Sequence, residues 1–572
     1  MAIKTIDAGL LKDMFLAGAK NIEAHKEHIN ELNVFPVPDG DTGTNMTMTV
    51  MSAVREVEAL EEISLKTLSK AMSSGALRGA RGNSGVILSQ LFRGFTSIIK
   101  TSETIDNQTA LAAFSKASET AYKAVMKPKE GTILTVAKGM SDKAADILGE
   151  SEDLAEALRQ IIEYGDYVLS ITPEMLPVLK EAGVVDSGGE GLMDFMHGAY
   201  MCMTGEKRPE DYAEAATAKA AGEDGAENSG NVQHGPVTPP RKSVKEGGVF
   251  KNIYCTDFVL KLTGSFSSNE EEKLSGYFTA AGESVSFIPE GNTVKIHLHT
   301  DAPGMALTKA QKYGTLSAVS IVNLTEEGVR CAHEQKAKAA APVSKPAAPA
   351  KPPKENGFIA VSVGEGIKSI FTELGVDYVV EGGQTMNPST EDIMNAIEQV
   401  NARNIYVFPN NKNVILAAQQ AASLTEDKNI LIVPTRNVPQ GITAMINYIE
   451  ENSTEDNFRH MTESIDSVKT CEITYAIRDT SIDNIEIHQG NIMAIGDKGL
   501  LAVGEDIEET ALKAIEAMVD DSSEVVSIYS GKDVEDSKAE EFLNQVVEKY
   551  PDMEIDLNNG GQPVYYYIIS VE

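Results

Sequence analysis

Two carboxylates stand one residue apart in the stretch VFPVPDGDTGTNM (34–46): Asp39 and Asp41 flank Gly40, Gly43 follows, and Asn45 opens an apolar helical run. Like charges so close in a turn repel, and the pattern points to a cation between them. Calcium in an EF-hand would need glycine at the sixth loop position and glutamate at the twelfth. Counted from Asp39, those positions hold Thr44 and Val50, which excludes that site. Magnesium fits better, because it keeps several waters and completes its shell with substrate phosphates. A second set of metal donors lies far along the chain. His297 and His299 are one residue apart in NTVKIHLHT, an alternating run that reads as a strand, so they share a face suited to chelating one ion. Cys255, on an earlier strand, adds a thiolate to that set. A pair of surface histidines would read the same way.

Four glycine-rich loops supply a partner for the cation. They are PDGDTGTN (38–45), GARGNSG (79–85), EGT (130–132) and VVDSGGEG (184–191), and each opens a helical pattern. Helix starts carry unpaired N–H groups and partial positive charge, and glycine lets a ligand approach the backbone. Phosphate is the chemistry that such loops serve. No Walker A pattern occurs in the chain, so a nucleotide site here is not of the P-loop kind.

The elements that must position these loops are helices. Helical spacing of apolar residues predicts eight, beginning near Ile6, Thr44, Ser64, Asn83, Asn107, Thr132, Leu154 and Gly189, with a break at TPEMLP interrupting the seventh. Short connections make an up-and-down bundle, which brings the starts of the second, fourth, sixth and eighth helices to one end. Two stretches rich in Ala, Pro, Gly and charge (207–247 and 334–356) read as linkers. They leave an all-α segment at 1–206, a mixed α+β segment at 248–333 and an α/β segment at 357–572. In the middle segment, NIYCTDFVLKLTG and NTVKIHLHT read as strands, and NEEEKLSGYFTAAG and MALTKAQKYG as helices. In the last segment, GFIAVSVG, VDYVVEG, NIYVFPN and NILIVPT resemble buried parallel strands separated by helices. A sheet of that kind offers ligands the loops VGEGI, FPNNKN and VPTRNVPQG.

Composition narrows the rest. A chain of 572 residues, 42% hydrophobic, is long enough for roughly three or four domains. The net charge of −35 repels nucleic acid and anionic lipid. Four dispersed cysteines make no disulfide framework. The amphipathic start lacks a signal-peptide core, and no apolar run reaches membrane-spanning length, so a cytoplasmic protein without a transmembrane segment is expected.

The motifs PDGDTGTNM, GARGNSGVIL, EGTILTV and GVVDSGGEGL resemble the L-subunit, nucleotide-binding domain of dihydroxyacetone kinases. They are still more similar to the bacterial fatty acid kinase A family, whose middle domain resembles VKIHLHTDAPG and whose DegV-like C-terminal domain resembles GGQTMNPSTEDI, VPQGI and NNGGQPVYYYIISVE. That resemblance implies an eight-helix ATP-binding domain, a middle α+β domain and a C-terminal α/β domain of DegV type that engages a carrier. It implies ATP-dependent phosphorylation of a fatty acid, held by a separate fatty-acid-binding protein of the DegV type, to give an acyl phosphate. Asp39 and Asp41 match the aspartates that hold magnesium, with two ions implied; a third family aspartate is replaced by Asn33, a neutral and weaker ligand, displaced by one residue. Asn45, Gly82, Asn83, Ser84, Gly131 and Thr132 would contact nucleotide, Asp186 would lie near it, and Arg78 and Arg81 would assist transfer. Ser84 and Thr132 also read as ordinary helix caps, and Arg78 and Arg81 as surface charges. The resemblance also implies zinc on Cys255, His297 and His299, and a homodimer. Two other functions stay open: a dihydroxyacetone-type small-molecule kinase, and a non-catalytic ATP-binding scaffold. The segment NPSTEDI reads as a capped helix start, Ser389 or Thr390 capping with Glu391 and Asp392 in the first turn.

Overall fold

The computed structural model describes residues 3–34, 40–151, 153–212, 254–262, 274, 277–278, 283–290, 293–300, 303–323, 353–383, 387–476, 479–482, 485–497 and 499–572. Contacts divide the chain into two compact units: Met1–Ala226 together with Pro352–Glu572, and Glu227–Lys351.

The first unit begins with helices: α1 (Ala8–Glu31), α2 (Thr42–Glu58), α3 (Leu65–Gly79), α4 (Gly82–Ile99), α5 (Asn107–Ala124), α6 (Ile133–Ile147), α7 (Leu154–Ser170), two short turns α8 (Thr172–Met175) and α9 (Pro177–Ala182), and α10 (Ser187–Thr204). Their starts are set by local chemistry. Asp7 accepts from the Leu10 N–H, Asp106 from Thr109, Asp153 from Ala155 and Asp186 from Gly189, each satisfying a donor that the helix itself leaves open. Prolines at the first turns of α8 and α9 explain why TPEMLP breaks the run after α7 without ending helical structure. Apolar faces close on a shared core, where Phe15, Phe92 and Phe195 meet with ring centroids 5.1–5.6 Å apart. Each such buried ring is worth roughly 1.5–3 kcal/mol relative to exposure. No helix of the described residues is long and apolar enough to cross a membrane.

The rest of that unit is α/β. A parallel sheet runs in the order β6 (Tyr378–Glu381), β5 (Lys354–Ser362), β7 (Ala402–Phe408), β8 (Asn429–Ile432). Helices Glu365–Glu373, Thr390–Gln399 and Ile415–Leu424 connect its strands, as their apolar runs predict. A six-stranded mixed sheet then forms in the order β13 (Gly499–Gly504), β12 (Ile492–Gly496), β9 (Lys469–Tyr475), β16 (Tyr567–Val571), β14 (Val525–Ser530), β15 (Glu554–Asn559).

The second unit holds an antiparallel sheet in the order β2 (Glu283–Glu290), β3 (Thr293–Thr300), β1 (Tyr254–Leu262), β4 (Gly314–Asn323), with the helix Pro303–Ala310. Phe258, Leu260, Ile296 and Leu298 build its core face. Most of the run read as a helix at 269–282 lies outside the described residues.

Candidate functional site

The starts of α2, α4, α6 and α10 meet. Gly82, at φ 59°, sits so close to α2 that a Cβ there would come 2.5 Å from Asn45 Nδ2, which only glycine avoids. The Arg81 N–H donates to Thr49 Oγ1 at 3.2 Å, a second tie between α4 and α2. Ser187 Oγ donates to Thr42 Oγ1 at 3.3 Å, joining α10 to α2. A Cβ on Gly188 would lie 3.3 Å from Ile133 Cβ and 3.4 Å from Ser84 Oγ, so α6, α4 and α10 converge there. Four positive helix ends therefore share one rim.

Asp186 is the knot of that rim. Its carboxylate accepts from the Gly189 N–H at 2.7 Å and from the N–H groups of Ile133 and Gly188. Burial pushes its pKa up to about 6 in spite of those donors. Thr132 precedes α6 with Oγ1 donating to the Lys129 carbonyl at 2.8 Å, and Gly131, at φ 82°, donates its N–H to Thr135 Oγ1 at 2.9 Å. Ser84 is the third residue of α4, whose cap position is Arg81.

Asp41 stands at the cap position of α2, yet its side chain does not cap the helix. Instead, Asp41 Oδ2 accepts from Asn387 Nδ2 at 2.6 Å. Asp39, its expected companion, lies outside the described residues. Asn33 is buried just before that gap, with its N–H donating to the Asn30 carbonyl at 3.1 Å.

The two candidate arginines part company. Arg81 turns to the α/β half, where Nη1 donates to the Asn387 carbonyl at 2.7 Å and Nη2 lies 3.3 Å from Asp392 Oδ2. Arg78, in the last turn of α3, lines a cleft of about 610 Å3 with Lys66, Lys70, Arg93 and Lys100.

Residues from the α/β half thus reach the rim, and the sequence reading did not place them there. Asn83 Nδ2 donates to Asn413 Oδ1 at 3.1 Å, and the Thr390 N–H donates to the Ala80 carbonyl at 3.1 Å. Deeper along α4, Gln90 Nε2 donates to Gln420 Oε1 at 2.7 Å, while Gln420 Nε2 donates to the Leu77 carbonyl at 2.6 Å. Ser389 caps Thr390–Gln399, closing a reciprocal box with Asp392. FPNNKN was legible as a loop and NPSTEDI as a capped helix start, but only the fold brings them to GARGNSG.

In the middle unit, register puts Cys255 opposite His299 and Asp257 opposite His297. Cys255, His297 and His299 therefore share a sheet face, opposite the one carrying Leu298 and Ile296. Their side chains lie outside the described residues, among which no group of three His, Cys, Asp or Glu is placed to hold a metal.

Family models match three stretches: a DAK2 domain at residues 36–201, the FakA-like middle domain of fatty acid kinase at 251–330 and the FakA-like C-terminal domain of fatty acid kinase at 357–572. An uncharacterized protein of Staphylococcus haemolyticus is 38% identical over 570 residues, and protein YloV of Bacillus subtilis 38% over 582, each covering 100% of both chains. The chain belongs to the FakA-like fatty acid kinase family. Among solved structures, a DegV family protein from Corynebacterium glutamicum overlaps 38% of this chain and 97% of its own at TM-score 0.30 and 11% identity. The dihydroxyacetone kinase from C. freundii, in complex with AMP-PNP and Mg2+, overlaps 35% of this chain and 34% of its own at TM-score 0.27 and 13% identity.

Proposed function

We propose that this chain is an ATP- and Mg2+-dependent kinase that phosphorylates the carboxylate of a fatty acid held by a separate fatty-acid-binding protein of the DegV type, releasing an acyl phosphate and ADP. The observation that carries this reading is the meeting of four helix starts, one of them headed by Asp41, in a chain of the FakA-like family.

A fatty carboxylate is already ionised at neutral pH, so its oxygen attacks the γ-phosphorus without a base to remove a proton. What remains for the protein is positioning and charge neutralisation. Asn45, Gly82, Asn83, Ser84, Gly131 and Thr132 stand at the helix starts, where backbone N–H groups and side chains can bind phosphate oxygens. Asp186 orients two of those starts by gripping the N–H groups of Ile133 and Gly189. Asp41, with Asp39 and Asn33, would hold magnesium, and the donor set of carboxylate and amide oxygens suits that ion. Bound there, the metal neutralises phosphate charge. Arg81 acts at one remove, by fixing the segment that carries Asn387. The carrier keeps the acyl chain out of water. In the middle unit, Cys255, His297 and His299 would hold zinc in a structural or substrate-positioning role, their shared face being the geometric support.

The test is the purified chain with ATP, Mg2+, oleate and a fatty-acid-binding DegV protein. Hydroxylamine should trap an acyl phosphate only when all four are present. Transfer to dihydroxyacetone without a carrier would replace the reading with a small-molecule kinase. Nucleotide binding with no transfer to either acceptor would leave a regulatory scaffold.

A further inference from the structure

Asn387 reaches Asp41 from 346 residues away. It is 1% exposed, its Nδ2 donates to Asp41 Oδ2 at 2.6 Å, and its Oδ1 is buried without a hydrogen-bond partner. A buried amide oxygen left unpaired is costly, and this one belongs to a side chain already bonded to a rim carboxylate. The residue is also held firmly. Arg81 grips its carbonyl, and the same guanidinium leans on Asp392, which is itself fixed by Ser389.

An amide side chain has two ends of nearly equal shape and opposite polarity. Beside a bare carboxylate the N–H end must face it. Beside a carboxylate that carries a divalent cation, the N–H end is repelled and the oxygen end attracted. Rotation about Cβ–Cγ exchanges the ends while the backbone stays in the Arg81 clamp. The 2.6 Å between Asn387 Nδ2 and Asp41 Oδ2 is close to the edge of about 2.9 Å that separates neighbouring ligands in a magnesium octahedron with bonds of about 2.0–2.1 Å.

We propose that Asn387 is a ligand of the divalent cation held by Asp41, offering Oδ1 once its amide turns, so that the kinase site is complete only with the α/β half docked on the bundle. This rests on the reading of Asp41 as a magnesium ligand. It gives the C-terminal half a part in the site beyond engaging a carrier.

The opposite idea, that Asn387 merely occupies the cation's place, predicts the opposite sign. If the N–H end is only a competitor, removing it must tighten cation binding; if the oxygen is a ligand, removing it must weaken binding. The experiment titrates Mn2+ into the full chain with ADP and counts free Mn2+ by electron paramagnetic resonance. Wild type should bind, Asp41→Asn should bind at least tenfold more weakly, and Asn387→Leu about tenfold more weakly. Asn387→Leu binding as tightly as wild type, or more tightly, overturns the proposal while the Asp41 loss preserves the underlying reading. No difference between wild type and Asp41→Asn, or no binding by wild type, overturns both. Should Asn387→Leu fail to fold, Asn387→Ala carries the test: its Mn2+-induced rise in melting temperature should fall below that of wild type, and an equal or larger rise overturns the proposal.

Discussion

Helix α4 makes two polar contacts with the α/β half, on either side of Val86, which is buried in the core of that half, and the two are built by opposite rules. At its start, Arg81 and Asn83 reach Asn387 and Asn413, and Asn387 Oδ1 has no partner; beside them in the bundle, Gly82 is in the left-handed region against Asn45 and Asp186 is a buried carboxyl with a raised pKa. About 11 Å further along the helix, at 1.5 Å per residue, Ser89 and Gln90 enter a buried network. There Gln420 donates to the Leu77 carbonyl and accepts from Gln90, with Thr390 Oγ1 3.3 Å away. The deeper contact satisfies its polar groups and holds the halves together. The rim holds polar groups that are strained, shifted or unpaired.

The largest effect should come at the rim and should spare the fold. Asp41→Ala should lower Mg2+-dependent turnover by about a hundredfold or more, with a melting temperature near that of wild type. Substantial residual activity would erase the functional half of the contrast. Asp186→Asn sharpens it through pH. The folded pKa of Asp186, about 6, lies above the ordinary carboxyl value. The wild type therefore has this contribution in full below about pH 4 and loses it as pH rises through 6. Denaturant titrations at pH 4 and pH 7 should find the variant gaining on wild type by up to about 3 kcal/mol; a constant difference would mean that Asp186 is not the strained group described here.

Breaking the deeper contact should do the reverse of Asp41→Ala. Gln420→Leu leaves the Leu77 carbonyl and the Gln90 amide buried without their partner, a loss of about 1–3 kcal/mol. Limited proteolysis should then cut between the halves sooner, and unchanged stability would show that the network is not what joins them. The smallest shift is expected for Gly82→Ala, which meets Asn45 Nδ2 and places an L side chain at φ 59°, costing about 1–2 kcal/mol. Its signature is a weaker ADP affinity alongside a lower melting temperature. Full ADP affinity would separate the close approach of α4 and α2 from nucleotide binding.

Particular elements mark how far the sequence could be read. The starts near Asn107 and Leu154 fall where expected, and the others within about two residues, because caps and prolines are local signals. Strands β2 and β4 were not foreseen: β2 carries Pro289 near its end, and β4 is built largely of Ser, Ala and Val, so neither has a strong alternating signature. The glycine loops were legible as helix starts, and the antiparallel bundle made their meeting a consequence of counting. Arg81 was legible as a charge near that end. Its partners were not, since nothing in GARGNSG refers to NPSTEDI some 300 residues on.

By itself, then, the sequence determined what is decided within a few residues of each position: where helices begin and break, which loops expose backbone N–H groups, and that paired carboxylates sit at one such loop. The tertiary structure alone decided what depends on long-range packing. It pressed Asn387 onto Asp41, joined Asn83 to Asn413, clamped Arg81 onto Asn387 and Asp392, and buried Asp186 deeply enough to raise its pKa. Capping and turn preferences act through neighbouring bonds and so are written locally, whereas desolvation and cross-domain hydrogen bonds exist only once distant surfaces have excluded water together.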